Sequence, residues 1–128
     1  MAAYTKKKLT EVEDSAPKFG VGEAMEARFA SEELDTIETG FSLHVVKPGK
    51  RQAFGHKHDD AEEVYVVISG SGRVKLDDEI IEISELDALR VEPGVMRQFE
   101  AGDDGLDYLA VGARHEGDGE IVPGWWSD

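Results

Sequence analysis

The chain has 128 residues, and its 28 acidic side chains against 14 lysines and arginines leave a formal charge of −14, an excess that suits solubility or adaptation to salt and repels nucleic-acid phosphates and anionic lipid surfaces. That length suits one domain with a core of its own, and no apolar run approaches the ~20 residues needed to cross a bilayer. Cysteine is absent, which excludes a disulfide framework, a thiolate ligand and a catalytic thiol, and the basic N-terminus lacks the apolar segment of a signal peptide, so a cytoplasmic location is expected.

Residues 1–39 read as an N-terminal arm. Residues 1–22 carry scattered charge and a turn signal at Pro17-Lys18-Phe19-Gly20, with Val12, Phe19 and Val21 as anchors to the body. Residues 24–30 are ambiguous between helix and strand, and Ser31 is placed to cap one helical turn over 31–35. From Phe41 onward the pattern is β. Strands are expected at 41–47, 52–57 and 63–68, the last stopped by Gly70-Ser71-Gly72. A hairpin of 73–76 and 80–83 follows around Asp77-Asp78-Glu79, and then strands at 88–92, 97–100 and 106–112. Short strands between regular turn signals predict an all-β sandwich or closed barrel over residues 40–113. No repeat, linker or second domain is visible. The tail, 114–128, ends in Trp125-Trp126, whose apolar area is expected to pack on the barrel or on a partner subunit.

The chemistry concentrates between Pro48 and Gly70, in PGKRQAFGHKHDDAEEVYVVISG. His56 and His58 lie two apart, so on a strand both rings face the same side. If 59–62 is a hairpin loop, His58 pairs with Glu63 and His56 with Tyr65, which brings the carboxylate to the histidine face. Two imidazoles and a carboxylate can hold a divalent metal. Gln52, Phe54 and Tyr65 share this parity and are expected to line the same cup. His44 reads as a structural histidine, His115 as solvent-exposed, and Arg73 and Lys75 as a solvated face. Asp77-Asp78-Glu79 lacks the spaced oxygen ligands of a calcium loop. No nucleophile elbow, phosphate-cradling loop or dinucleotide fingerprint is present.

This spacing resembles the first motif of the cupin superfamily: a glycine, H-x-H, three or four residues, a glutamate, six residues and a glycine. Here Gly49 precedes His56 by six residues instead of the usual five; four residues separate His58 from Glu63, and six separate Glu63 from Gly70. The second motif, P-x-G-x-x-H-x-x-x-N, is matched in part by Pro93-Gly94-Val95-Met96-Arg97, so the resemblance covers roughly residues 40–112. It implies a cupin-type double-stranded β-helix, or jelly-roll barrel. It also implies a divalent ion (Zn, Mn, Fe or Ni) on His56, His58 and Glu63, and a homodimer. The apolar surplus at Phe19, Phe29, Trp125 and Trp126 suits a homodimer in which a terminal strand covers a sheet edge.

Arg97 stands where the family usually has its last histidine ligand, and alternation places Phe99 on the same face. A guanidinium stays protonated and cannot ligate; about 5 Å from a dication it costs roughly 7 kcal/mol at an effective dielectric near 20. The competing expectation is a bidentate Arg97–Glu63 ion pair with neutral histidines beside it. Two functions follow. One is a small-molecule-binding protein in which Arg97, Gln52, Tyr65 and Phe99 contact an anionic or sugar-like ligand. The other is a metal-dependent enzyme of dioxygenase, isomerase or epimerase type using His56, His58 and Glu63. The fold hosts both.

Overall fold

Two long strands carry the architecture. In chain order the strands are β1 (Met25–Phe29), β2 (Thr39–Val46), β3 (Phe54–His58), β4 (Glu63–Leu76), β5 (Glu79–Ser84), β6 (Ala88–Val91), β7 (Arg97–Ala113) and β8 (Gly119–Pro123). This computed structural model describes residues 3–114 and 117–127; His115 lies outside them. Every pairing is antiparallel. The order β1-β2-β7-β3-β8 makes one path, while β4 pairs along its length with β7 and on its other edge with β6 and then β5. The sheet curls on itself into the double-stranded β-helix barrel. Its core holds Val46, Val67, Val74, Phe99, Leu106 and Tyr108, all nearly or fully buried. A smaller cluster of Ala16, Met25 and Ala27, flanked by Val21 and Phe54, docks the arm. Asp14 Oδ1 fastens it by accepting the N–H groups of Ala16 and Ala27 at 3.0 and 2.9 Å. Among the described residues no helix is long and apolar enough to cross a membrane.

The strand expected to stop at Gly70-Ser71-Gly72 instead runs on to Leu76, and the two strands expected at 97–100 and 106–112 are the single β7. Register shifts between Val67 and Ser69 and between Gly70 and Gly72 let both strands bend from one face of the barrel to the other without breaking. The glycines serve close approach: a Cβ at Gly70 would stand 2.0 Å from the Gly105 carbonyl oxygen, and one at Gly72 2.0 Å from that of Glu100. The hairpin does form, closing at Leu76↔Glu79 through Asp77 with φ 50°, a conformation aspartate tolerates.

Other expectations need correction. Residues 59–62 do not make a hairpin loop: β3 pairs with β8, from Phe54↔Pro123 to His58↔Gly119, and with β7 at His56↔Arg97. The edge of β4 is taken by β6 and β7, so 59–62 crosses the barrel instead of turning back. Residues 24–30 resolve as strand. Residues 31–35 form successive turns, one of them closed as in a helix by the Leu34 N–H on the Ala30 carbonyl at 2.9 Å, but no regular helix follows, because Asp35 is left-handed (φ 59°), and the Ser31 hydroxyl accepts the Phe41 N–H at 3.0 Å instead of capping. Phe19 is 73% exposed; Val12 and Val21 hold the arm without it. Arg73 is exposed and Lys75 half-buried on the solvent face expected for them, and both also hold the tail. Arg51 and Arg73 lie 4.1 and 5.2 Å from the Trp126 ring, and Lys75 4.5 Å from Trp125. Trp126 is thereby buried against its own barrel.

Gly72→Ala is expected to cost about 3 kcal/mol, because a carbonyl oxygen occupies the Cβ position. Gly49→Ala, whose Cβ meets nothing within 4 Å, pays only for its left-handed backbone, about 1 kcal/mol. Urea unfolding of the two variants measures the difference; equal losses would remove the close crossing of β4 and β7 as the reason for the glycine.

Candidate metal and ligand site

β3 brings His56 and His58 to the barrel interior, and β4 opens with Glu63 and Tyr65, two apart and on one face. The carboxylate meets the histidines from a strand that is not hydrogen-bonded to theirs. Four side chains converge on Glu63 Oε1. The Tyr65 hydroxyl donates to it in a short hydrogen bond. Arg97 Nη1 lies 3.2 Å away, His58 Nε2 3.4 Å and His56 Nε2 3.7 Å. The two imidazoles meet edge to face with centroids 5.5 Å apart. Burial alone would raise the Glu63 pKa, yet the facing His56 and His58 rings and the Tyr65 hydrogen bond outweigh it and hold the carboxyl well below its ordinary range. Burial lowers the His56 pKa despite Glu63, and burial with the Glu63 charge raises that of Tyr65 well above 10. Near neutral pH the group is therefore a carboxylate, a neutral His56 imidazole and an intact phenol.

Arg97 is fully buried. Its Nε donates to the Val95 carbonyl at 3.0 Å and Nη2 to that of Glu92 at 3.1 Å, leaving Nη1 for Glu63 and, at 3.3 Å, the Tyr65 hydroxyl. The pair with Glu63 forms, but through one nitrogen and one oxygen, not as the expected bidentate fork. The backbone around Pro93-Gly94 takes the other edge of the guanidinium. Phe99 is also fully buried, its ring 4.9 Å from Tyr65 and 4.2 Å from Tyr108, one layer behind the cavity wall. Gln52 reaches the wall with both ends engaged: its Nε2 donates to the Tyr108 hydroxyl at 2.8 Å and its Oε1 accepts the Phe99 N–H at 2.9 Å.

A cavity of about 600 Å³ opens beside this cluster. Phe19, Phe29 and Ile121, all more than half exposed, stand at its rim; Met25, Ala27, Phe54, Tyr108 and Ala110 form apolar walls. His56, His58, Glu63 and Tyr65 supply its polar end. His44 has the structural role expected for it and is also on the wall. It stacks on Tyr108 at 5.1 Å, and its Nε2 bonds the Ser42 hydroxyl at 2.8 Å. Burial, then His56, bring its pKa down to about 4. The signal was there in the two polar residues, Ser42 and His44, interrupting an apolar strand at period two. Asp118 was missed altogether. It sits in the tail between Gly117 and Gly119, accepts the N–H groups of Asp59, Asp60 and Ala61, and brings Oδ2 within 3.7 Å of His58 Nδ1.

The donor chemistry fits a divalent ion. His56, His58 and Glu63 each offer one ligand atom, and the three atoms all lie within 4.8 Å of one another. The 3.4 and 3.7 Å separations from Glu63 match the edge of roughly 3.4 Å that tetrahedral bonds of ~2.1 Å require. Among the described residues no other group of three such side chains is brought together.

Comparison with known proteins supports this reading of the fold. A family model described as "Cupin domain" matches residues 42–112. A cupin protein from Bacteroides fragilis superposes with a TM-score of 0.73 at 24% identity, covering 91% of this chain and 89% of that one. The polyketide cyclase RemF from Streptomyces resistomycificus gives 0.74 at 17%, over 97% and 87%. Oxalate decarboxylase from Bacillus subtilis gives 0.75 at 22%, over 94% of this chain but 32% of the enzyme. At these identities the likeness is one of fold. No curated protein sequence matches the chain.

The low His44 pKa carries a stability consequence. Between about 4 and 6.5 the unfolded chain binds a proton that the folded state refuses, so stability rises with pH through this window. Acidification from pH 7 to 4 is expected to remove about 3 kcal/mol through His44, with His56 acting in the same direction. Below about 4.5 the depressed Glu63 adds a further loss as pH falls. His44→Gln is expected to flatten the slope between pH 4 and 6.5, read by urea unfolding at a series of pH values; an unchanged slope would remove His44 as its source.

Proposed function

The chain belongs to the cupin family, and we propose that it binds a compact, mostly apolar organic molecule whose single polar end meets His56, His58 and Glu63. The observation that carries this is the lining of the cavity: mostly apolar walls and an aromatic rim around His56, His58, Glu63 and Tyr65, while the other polar side chains on the wall are engaged by neighbours, Gln52 by Tyr108 and His44 by Ser42. It revises the expectation of an anionic or sugar-like ligand. Arg97 is buried and engaged with carbonyls and Glu63, the ionised Glu63 repels an anion, and a sugar would leave its hydroxyls unpaired against the walls. Tyr65 and Arg97 keep Glu63 fixed and charged, neutral His56 offers a polar contact, and the walls exclude water. Titration with 1-naphthol, followed by tryptophan fluorescence, is expected to saturate, and glucose and acetate are expected to bind more weakly. Ala27→Phe, which fills the cavity, should abolish naphthol binding in a protein whose circular dichroism is unchanged. Glucose or acetate binding as tightly as naphthol would sink the reading.

A second reading adds a divalent ion, Zn, Mn, Fe or Ni, on His56, His58 and Glu63, supported by their separations. When bound, such an ion would polarise an oxygen of the ligand, and the chain would then be a metal-dependent enzyme of dioxygenase, isomerase or epimerase type. Arg97 opposes this charge from behind Glu63. Arg97→His is expected to raise Mn²⁺ affinity at least about tenfold, or ~1.4 kcal/mol, in calorimetric titration. Wild type binding Mn²⁺ as tightly as the variant would mean that Arg97 does not restrain the metal.

A cytoplasmic location and a homodimer belong to the same proposal. Trp125 and Trp126 no longer argue for association, since they pack on their own barrel. The support comes from Phe19, Phe29 and Ile121 at the rim and from β8, which among the described residues pairs on one side only. Sedimentation at micromolar concentration is expected to give twice the chain mass; a monomer would reject the dimer.

A further inference from the structure

We propose that Asp118 is a positioning residue for His58, so that the C-terminal segment completes the site that the histidine motif begins. The inference takes the His56–His58–Glu63 group as the polar end of the cavity and adds a residue that the motif does not contain.

His58 is the last residue of β3, with no strand continuing beyond it to hold its ring. Its backbone faces Gly119 of β8, and a Cβ at Gly119 would lie 3.8 Å from both Cε1 and Nδ1 of the ring. The ring therefore rests on the bare backbone of Gly119. Behind it stands the Asp118 carboxylate, with 4% side-chain exposure and Oδ2 at 3.7 Å from Nδ1. In front, Nε2 faces Glu63 Oε1 at 3.4 Å. At 3.7 Å the rear contact is electrostatic, with room to close into a hydrogen bond when the ring engages a ligand.

Asp118 is itself fixed. Oδ1 accepts the N–H groups of Asp59 and Asp60 at 2.8 and 2.9 Å, and Oδ2 accepts that of Ala61 at 3.0 Å. The backbone carbonyl of Asp118 also accepts the Asp59 N–H at 2.9 Å. These bonds, with burial opposing them, hold the carboxyl below its ordinary pKa. One buried anion thus holds the crossing segment that leads from His58 to Glu63 and faces the outer nitrogen of the imidazole. A carboxylate behind a ligand histidine sets the ring's tautomer and orientation.

The test combines a double-mutant cycle with a metal titration on the full chain. Urea unfolding of wild type, Asp118→Asn, His58→Ala and the double variant is expected to show coupling of about fivefold or more in the unfolding equilibrium constant. Asp118→Ser replaces Asp118→Asn if the latter does not fold. If the effect of the Asp118 change is the same with and without His58, Asp118 serves the 59–61 backbone alone and the proposal is overturned. Co²⁺ titration followed by its visible spectrum separates this from the metal reading. Asp118→Asn should weaken Co²⁺ binding by about 10- to 100-fold. Coupling without any Co²⁺ uptake by wild type supports the positioning role and rejects the metal. Co²⁺ uptake unaffected by Asp118→Asn rejects the positioning role and keeps the metal.

Discussion

The ionised carboxylate of Glu63 is the constraint around which this barrel closes. A buried anion is tolerated only when it is paired and hydrogen-bonded, and Oε1 finds its partners on three different strands: donors in Tyr65 on β4 and Arg97 on β7, and the facing rings of His56 and His58 on β3. The charge ties together elements that hydrophobic burial alone would leave free to slide. The dependence is mutual. Arg97 has no exposure, and its remaining donors end on the carbonyls of Glu92 and Val95; without Glu63 it would be a buried cation facing only dipoles. Tyr65 would likewise lose the acceptor of its hydroxyl.

A second layer of electrostatics closes the barrel from outside. Glu100 on β7 accepts from Arg51 through one oxygen and from Arg73 through the other. The two guanidiniums held this way lie beside the Trp126 ring, and Arg51 also donates to the Trp126 carbonyl at 2.7 Å. Trp125 lies over Gly55, where a Cβ would stand 2.8 Å from the indole. Cation–π contacts contribute about 0.5–2 kcal/mol each, enough together with strand pairing to keep β8 on β3. Because β8 begins at Gly119, directly after Asp118, the latch is continuous with the residues that back His58.

The cavity has its own logic. An aromatic rim, apolar walls and a polar end select for shape first and for one polar contact second. Cupin barrels are shared by proteins with different activities, among them an oxalate decarboxylase and a polyketide cyclase whose folds superpose on this one. The fold therefore does not choose a reaction; the contents of this cavity bear on that choice.

The amino-acid sequence determined what local rules can determine. Alternation put His56 and His58 on one face and Glu63 and Tyr65 on another, because side-chain direction along a strand depends only on that strand. Turn residues located the hairpin at Asp77-Asp78, and the spacing from Gly49 to Gly70 pointed to the barrel family. The tertiary structure decided which strand lies beside which. Glu63 reaches the histidines across the interior instead of along a hairpin, because β3 finds its partner in β8, some sixty residues further along the chain. Gly70 and Gly72 read as a stop because a glycine needed for close backbone approach looks the same in sequence as one that ends a strand. Asp118 was silent for a related reason: it acts on residues distant in the chain, and the physics that brings it there is the packing of the whole barrel, which no local pattern records.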